Sequence, residues 1–317
     1  MTEHGLTEDA LQVARVAKER FADELLANPD VHGIGVGRRR RAGRKVDEYA
    51  VVVHVERKLP LDRVPEGRRL PQELRLVVPD GQEVVARVDV QERAQPVPEN
   101  VAAHGGVGLG GRERPVPGGM SAGTSGTLGG WVWDTVTNQV VALSNRHVFG
   151  SVVGKAVSQP SRDDGGQLPA DQIGSVLRIG FLDAAVAAPV DPAVVSASVI
   201  GAGPAVFGTA DATIGMRVQK TGRTTGRTFG VVDLIDYDSQ HSGSHADLWI
   251  DGDDGDFSDS GDSGALYLEA DPAANGGGHR AVGLHWGGAG NDGVGHHIRA
   301  VFDDLGLKVL AAAVPSP

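Results

Sequence analysis

The 317-residue sequence has no cysteine at all, which excludes a disulfide framework, a cysteine-ligated metal site and a thiol nucleophile. It is short of hydrophobic runs as well. No stretch approaches the about 18 apolar residues of a membrane-spanning helix, and the opening Met-Thr-Glu-His-Gly-Leu lacks the basic start and apolar core of a secretory signal. On that ground a cytoplasmic protein with no membrane partner is expected. Positive charge is also scarce, with 30 Lys+Arg against 41 Asp+Glu giving −11. The first 115 residues are balanced at 19 of each sign, so residues 116–317 hold 11 basic and 22 acidic side chains. That acidity argues against nucleic acid as a partner, because phosphate binding rests on positive potential.

What is abundant is glycine, 46 residues, with 17 prolines and many valines and threonines. Such a composition predicts many short strands joined by tight turns, and hence a mainly β fold. Length allows two or three domains. Thr7-Glu-Asp-Ala opens an amphipathic helix carrying Leu11, Val13, Ala14, Ala17, Phe21, Leu25 and Leu26. Strand-like Val31–Val36 and Tyr49–Val55 flank the basic turn Arg38-Arg-Arg-Arg-Ala-Gly-Arg-Lys45, and a second hairpin spans Leu76 to Val90. The basic turn is read as a solvated loop, since it has no interleaved aromatics. Residues 1–95 thus form a small α+β domain, and the Gly/Pro-rich residues 96–123 a linker or an extended crossing segment.

From 124 onward, strand signals recur at short spacing: Gly126–Trp133, Gln139–Ser144, Ile173–Arg178 and Asp183–Ala188, then Met216–Lys220, Phe229–Ile235, Ala246–Ile250, Ala265–Leu268 and Arg280–Trp286. Two groups of antiparallel strands suggest two barrels, about 124–204 and 205–298, followed by a helix over 299–311.

Gly261-Asp-Ser-Gly264 sits directly before the apolar run Ala265–Leu268. The glycines give the backbone freedom for a tight turn, and the amides of Gly261 and Ser263 could point toward one carbonyl oxygen. Alone, four such residues are equally an ordinary surface turn. A serine hydroxyl needs a base of pKa near 7 to become a nucleophile, which points to histidine. Among 11 histidines, His147 stands out because it follows the apolar strand Val140–Leu143 at a fixed turn. Asp183, within an apolar context, needs a hydrogen-bond partner, and an imidazole would supply one.

Ser144-Asn-Arg-His-Val148, Asp183-Ala-Ala-Val186 and Gly261-Asp-Ser-Gly264, followed by Val282-Gly-Leu-His-Trp-Gly-Gly288, together resemble the trypsin-like, chymotrypsin-fold serine peptidases over residues 112–311. More narrowly, Arg114-Pro-Val-Pro-Gly-Gly119, Gly126-Thr-Leu-Gly129, Ala142-Leu-Ser-Asn145, Phe257, Gly33-Ile-Gly-Val-Gly37 and Lys58-Leu-Pro60 resemble bacterial relatives of the plant narrow-leaf protein. The resemblance implies a double antiparallel β-barrel preceded by the α+β domain, and a serine endopeptidase acting on polypeptides without a cofactor or a metal. Ser263 would be the nucleophile, His147 the proton shuttle, Asp183 its orienting acid, and the amides of Gly261 and Ser263 the oxyanion hole. His285, Trp286 and Gly287 would pair with an extended substrate, and Phe257 and Gly293 would border the pocket for the residue before the cut.

Two features depart from the family. In its digestive members a freed N-terminus bonds the Asp before the nucleophile, whereas here a whole domain comes first, so Asp262 requires another partner, with arginine the expectation. Phe257 stands where those members carry an acid, so preference for Lys or Arg does not follow. The N-terminal domain is then a candidate regulator or homo-oligomerisation module. The cluster Asp251, Asp253, Asp254, Asp256, Asp259 and Asp262 lacks EF-hand spacing and is read as a solvated acidic loop rather than a calcium site. Two other functions remain open: a catalytically weak peptide-binding scaffold on the same barrels, and an esterase using the same triad.

Overall fold

A computed structural model describes residues 6–77, 81–99, 108–203, 206–240, 247–253, 255–271 and 278–310. The chain divides into two compact units, one of residues 1–96 with 233–249, the other of 97–232 with 250–317.

In the first unit, Thr7 caps the helix Glu8–Leu26 by accepting a hydrogen bond from the Ala10 amide, and Ala17 and Leu25 of that helix are buried. They pack with Ile34, Val51, Val53 and Val88 of the strands Val31–Arg41, Arg44–Val55 and Glu83–Glu92 in one apolar core. The first two strands are an antiparallel hairpin, the second and third run parallel, and Glu73–Val77 adds an antiparallel edge. The basic turn is not simply solvated. Arg39 pairs with Glu48 at 2.9 Å, and Arg40 and Lys45 pair with Asp233 at 3.0 and 2.6 Å.

That last contact marks a difference from the sequence reading. The strand read as Phe229–Ile235 within the barrel expected over about 205–298 is longer than that reading, and 233–249 also group with the first unit. The physical reason is strand length: Gly226–Ser239 runs on past Ile235, and its end pairs antiparallel with Val31–Arg41, from Gly33 opposite Ser239 to Gly37 opposite Leu234.

The second unit carries two β systems. Its six-stranded antiparallel sheet has the order Ala156–Ser158, Gln172–Ile179, Ala185–Pro189, Gln139–Ser144, Gly130–Asp134, Leu307–Val309. Both faces are buried: Val141, Leu143 and Val186 enter one core, while Ala142, Ala185 and Ala187 enter another. This explains the unbroken apolar run after Asp183, where a one-sided strand would alternate. The other system is a closed six-stranded ring of Arg217–Gly222, Leu266–Glu269, His279–Ala289, Asp292–His297, Asp247–Gly252 and Gly226–Ser239, the last pairing back to the first. The chain is therefore mainly β, with a closed antiparallel barrel.

Two further expectations are refined. The described residues of the 96–123 segment fit an extended crossing rather than a free linker: Val97–Pro98 pairs with Gly287 and Gly288, Val116–Gly118 runs parallel to Val195–Val199, and Ser121–Ala122 pairs with Gly126–Thr127. Strands of two or three residues leave no periodicity to read. The terminal helix is Ile298–Leu305 rather than 299–311, because Gly306 adopts the left-handed conformation and ends it. Leu307–Val309 then joins the sheet beside Gly130–Asp134.

Candidate active site

Strand Gln139–Ser144 ends at Asn145, and a single helical turn, Arg146–Phe149, presents His147. Asp183, just before strand Ala185–Pro189, reaches this turn because the two strands are paired, Ser144 opposite Ala185. Its carboxylate accepts from His147 Nδ1 and, at 3.1 Å, from the His147 amide, while its own carbonyl oxygen accepts from Asn145 Nδ2 at 2.8 Å and the Arg146 amide at 3.3 Å. Burial alone would push the Asp183 carboxyl up, but the hydrogen bond and charge of His147 hold it below the ordinary carboxylate value. A carboxylate only accepts, so Nδ1 carries the proton. Nε2 is buried without a hydrogen-bond partner.

The loop bearing Ser263 is locked to the same strand end. Gly264 has φ +98°, and a methyl group there would fall 2.2 Å from both the Ser144 Oγ and the Thr127 carbonyl oxygen. Only glycine admits that approach. The Thr127 amide also donates to the Ser263 carbonyl at 2.9 Å. Ser263 itself is fully buried, and its hydroxyl donates to the Trp286 carbonyl oxygen at 3.0 Å rather than to His147.

Asp262 has a lysine for its partner, not the arginine expected from the sequence. Lys220 Nζ lies 2.9 Å from its Oδ2, with both side chains at 0% exposure. Thr225 Oγ1 donates at 2.5 Å, and the amides of Thr224, Thr225 and Asp259 at 2.8, 3.2 and 3.2 Å. Burial would raise the Asp262 carboxyl, but the Lys220 charge and these hydrogen bonds hold it below its usual value. Asp262 thus has the separate internal partner that the preceding domain was expected to require, supplied by Lys220.

The remaining site residues divide into two groups. Phe257 and Gly293 meet one another: a methyl at Gly293 would sit 2.5 Å from the Phe257 ring, which also packs edge-on to Tyr267 at 5.5 Å. Trp286 is buried with its ring stacked on His296. Gly287 and its neighbour Gly288 lie against the chain's own Val97–Pro98 in antiparallel pairing. Next comes Glu99, 5% exposed, whose carboxylate accepts from His285 Nε2 at 2.8 Å and Ser258 Oγ at 2.8 Å. The backbone oxygen of Glu99 accepts from the Gly261 amide at 3.0 Å. The sequence reading missed Glu99 and Ser258. Its only available signal was an acid following Pro-Val-Pro98 in a segment already judged irregular.

The acidic cluster disperses among separate partners: Asp253 pairs with Arg217 at 2.6 Å, Asp262 with Lys220, and Asp259 accepts from the Ser260 amide at 2.6 Å. Asp254 lies outside the described residues.

No family model and no curated protein matches the sequence. Among solved structures, it is similar to Thermobifida fusca protease A and to Nocardiopsis protease, each with TM-score 0.47 and 20% identity over 61% of this chain and 97% and 98% of theirs. A third, described as a glutamic acid specific serine protease that uses a histidine triad in substrate binding, has TM-score 0.47 and 18% identity over 61% of this chain and all of that one. These three are serine proteases of the chymotrypsin fold, and none of them supports the narrower likeness to the plant narrow-leaf protein and its bacterial relatives.

Proposed function

We propose that this chain is a serine endopeptidase in which Ser263 attacks the scissile carbonyl, His147 takes and returns the proton, and Asp183 holds His147 in the working tautomer. The observation that carries the reading is the His147 Nδ1 hydrogen bond to Asp183, which leaves Nε2 buried, unpartnered and available as a base. The Ser144, Thr127 and Gly264 contacts support it, because they tie the serine loop to the histidine strand. For attack, the Ser263 hydroxyl must leave the Trp286 carbonyl and give its proton to His147 Nε2. The Gly261 amide, already bonded to a carbonyl oxygen, then stabilises the tetrahedral oxyanion, a donor worth about 2.7–4 kcal/mol in such sites. Collapse expels the amine with the proton from His147, and water activated by the same imidazole releases the acid.

A fluorophosphonate probe is expected to label Ser263 in the wild type and to leave folded Ser263→Ala unlabelled; no label on folded wild type sinks the proposal. The hydrogen bond from Ser263 to Trp286 gives one ground for a second reading, a peptide-binding scaffold with little turnover. That reading predicts equal peptide binding by wild type and Ser263→Ala with hydrolysis by neither.

A further inference from the structure

Glu99 is a charged residue buried almost completely, and carboxylates are rarely found so unless paired. Its partners come from far along the chain, Ser258 at 159 residues and His285 at 186, and each contributes a donor. Since the carboxylate only accepts, His285 Nε2 carries a proton toward it, while Nδ1 shares a 2.6 Å hydrogen bond with the Tyr267 hydroxyl. The site wall is open for this group in particular: a methyl at Gly288 would fall 2.1 Å from Glu99 Oε1 and 3.1 Å from Ser258 Oγ.

Three contacts of Val97-Pro98-Glu99 coincide with what a peptide substrate requires. The segment adds an antiparallel strand beside Gly287 and Gly288, the way extended peptides dock on a strand edge. Pro98, which has no amide hydrogen, is compatible with such an edge. The Glu99 carbonyl oxygen rests on the Gly261 amide, two residues before Ser263. The Glu99 side chain fills a pocket of matching polarity. We propose that Val97-Pro98-Glu99 is the chain's own first substrate: the protein cleaves itself at Glu99–Asn100, and the pocket of His285, Ser258 and Gly288 selects glutamate before the cut in other polypeptides. The proposal rests on the peptidase reading and adds its substrate class.

The chemistry balances with water as the only added reactant. Ser263 Oγ bonds to the Glu99 carbonyl carbon, its proton passes through His147 to the Asn100 nitrogen, and the C–N bond breaks. Water then hydrolyses the Glu99 ester, restoring the Ser263 hydroxyl and leaving a new carboxylate on Glu99. Until its product departs, the segment covers the cleft, so the uncut chain blocks its own site. Glutamate fits best on geometry: aspartate is one methylene too short to meet both donors, and lysine would set a cation against the His285 N–H.

The test follows full-length protein by intact mass and N-terminal sequencing, for wild type, Ser263→Ala and Glu99→Lys, with folding of each checked by circular dichroism. The expected result is fragments 1–99 and 100–317 from wild type, no cut in Ser263→Ala, and loss of that cut in Glu99→Lys. Cut wild type is then profiled on a peptide library, where cleavage after glutamate is expected to exceed that after glutamine or lysine by roughly 10-fold or more. Wild type that labels with fluorophosphonate and hydrolyses peptides, yet stays intact at Glu99–Asn100 or prefers another residue, overturns this proposal and leaves the peptidase reading standing. Failure of label and turnover together removes both.

Discussion

Two buried carboxylates flank the serine loop, and they are held in opposite ways. Asp262 faces a lysine ammonium, a threonine hydroxyl and three backbone amides, in an environment with no exposure. Glu99 meets one imidazole and one serine hydroxyl, with no lysine or arginine among its described contacts. A fixed counter-cation in a low-dielectric interior suits a group that never leaves, because separating such a pair strands a bare charge. Hydroxyl and imidazole donors suit a carboxylate that must exchange, since water can replace them as partners. The first carboxylate shapes the loop; the second, under the self-cleavage proposal, occupies the substrate position.

Four substitutions or conditions would break or sharpen this contrast. The largest expected effect is on the fixed pair. Lys220→Met leaves Asp262 uncompensated and is expected to cost about 3–5 kcal/mol in urea unfolding, with peptide turnover falling as the Gly261 amide loses its support. An unchanged midpoint would mean that the pair is not structural. Gly288→Ala places a methyl where the Glu99 carboxylate lies, so kcat/KM for glutamate substrates is expected to fall by about 100-fold or more, with smaller losses for alanine substrates. Ser258→Ala removes one hydrogen bond to a charged group, worth about 1.5–3 kcal/mol, and is expected to reduce kcat/KM for glutamate substrates by roughly 10- to 100-fold with little change in stability.

The smallest effect is the pH dependence. Asp262 and Asp183 both have folded pKa values below their ordinary ones, so the folded state binds fewer protons than the unfolded chain in that range. Their stabilisation is present above the unfolded carboxylate pKa, about 4, and is lost as pH falls through the depressed folded values. Urea midpoints measured from pH 6 downward should therefore decline below about pH 4 in wild type. In Lys220→Met the decline should be shallower, because burial then raises Asp262 instead. A wild-type midpoint flat to pH 2 would contradict this.

The legible parts of the sequence were those with local or repeated signals. Thr7 and the apolar spacing after it gave the first helix, and the strand before His147 and the apolar run after Asp183 located both residues at strand ends. Their hydrogen bond follows from pairing Ser144 with Ala185, a long-range register that the separate segments do not encode. Other features depended wholly on distant contacts. Lys220 reads as one residue of an ordinary strand until the fold brings Asp262 to it from 42 positions away. Glu99 falls one residue past Val-Pro98, in a Gly/Pro-rich stretch whose strand is two residues long. The passage of 233–249 into the first unit was hidden for the same reason, since strand ends are set by their partners.

The most direct check of the peptidase reading is hydrolysis of an extended peptide library by wild type and by Ser263→Ala, followed by mass spectrometry under identical conditions. The account predicts peptide-bond cleavage by wild type and a fall of about 10⁶-fold in kcat for folded Ser263→Ala. Equal, negligible hydrolysis by the two folded proteins would contradict it.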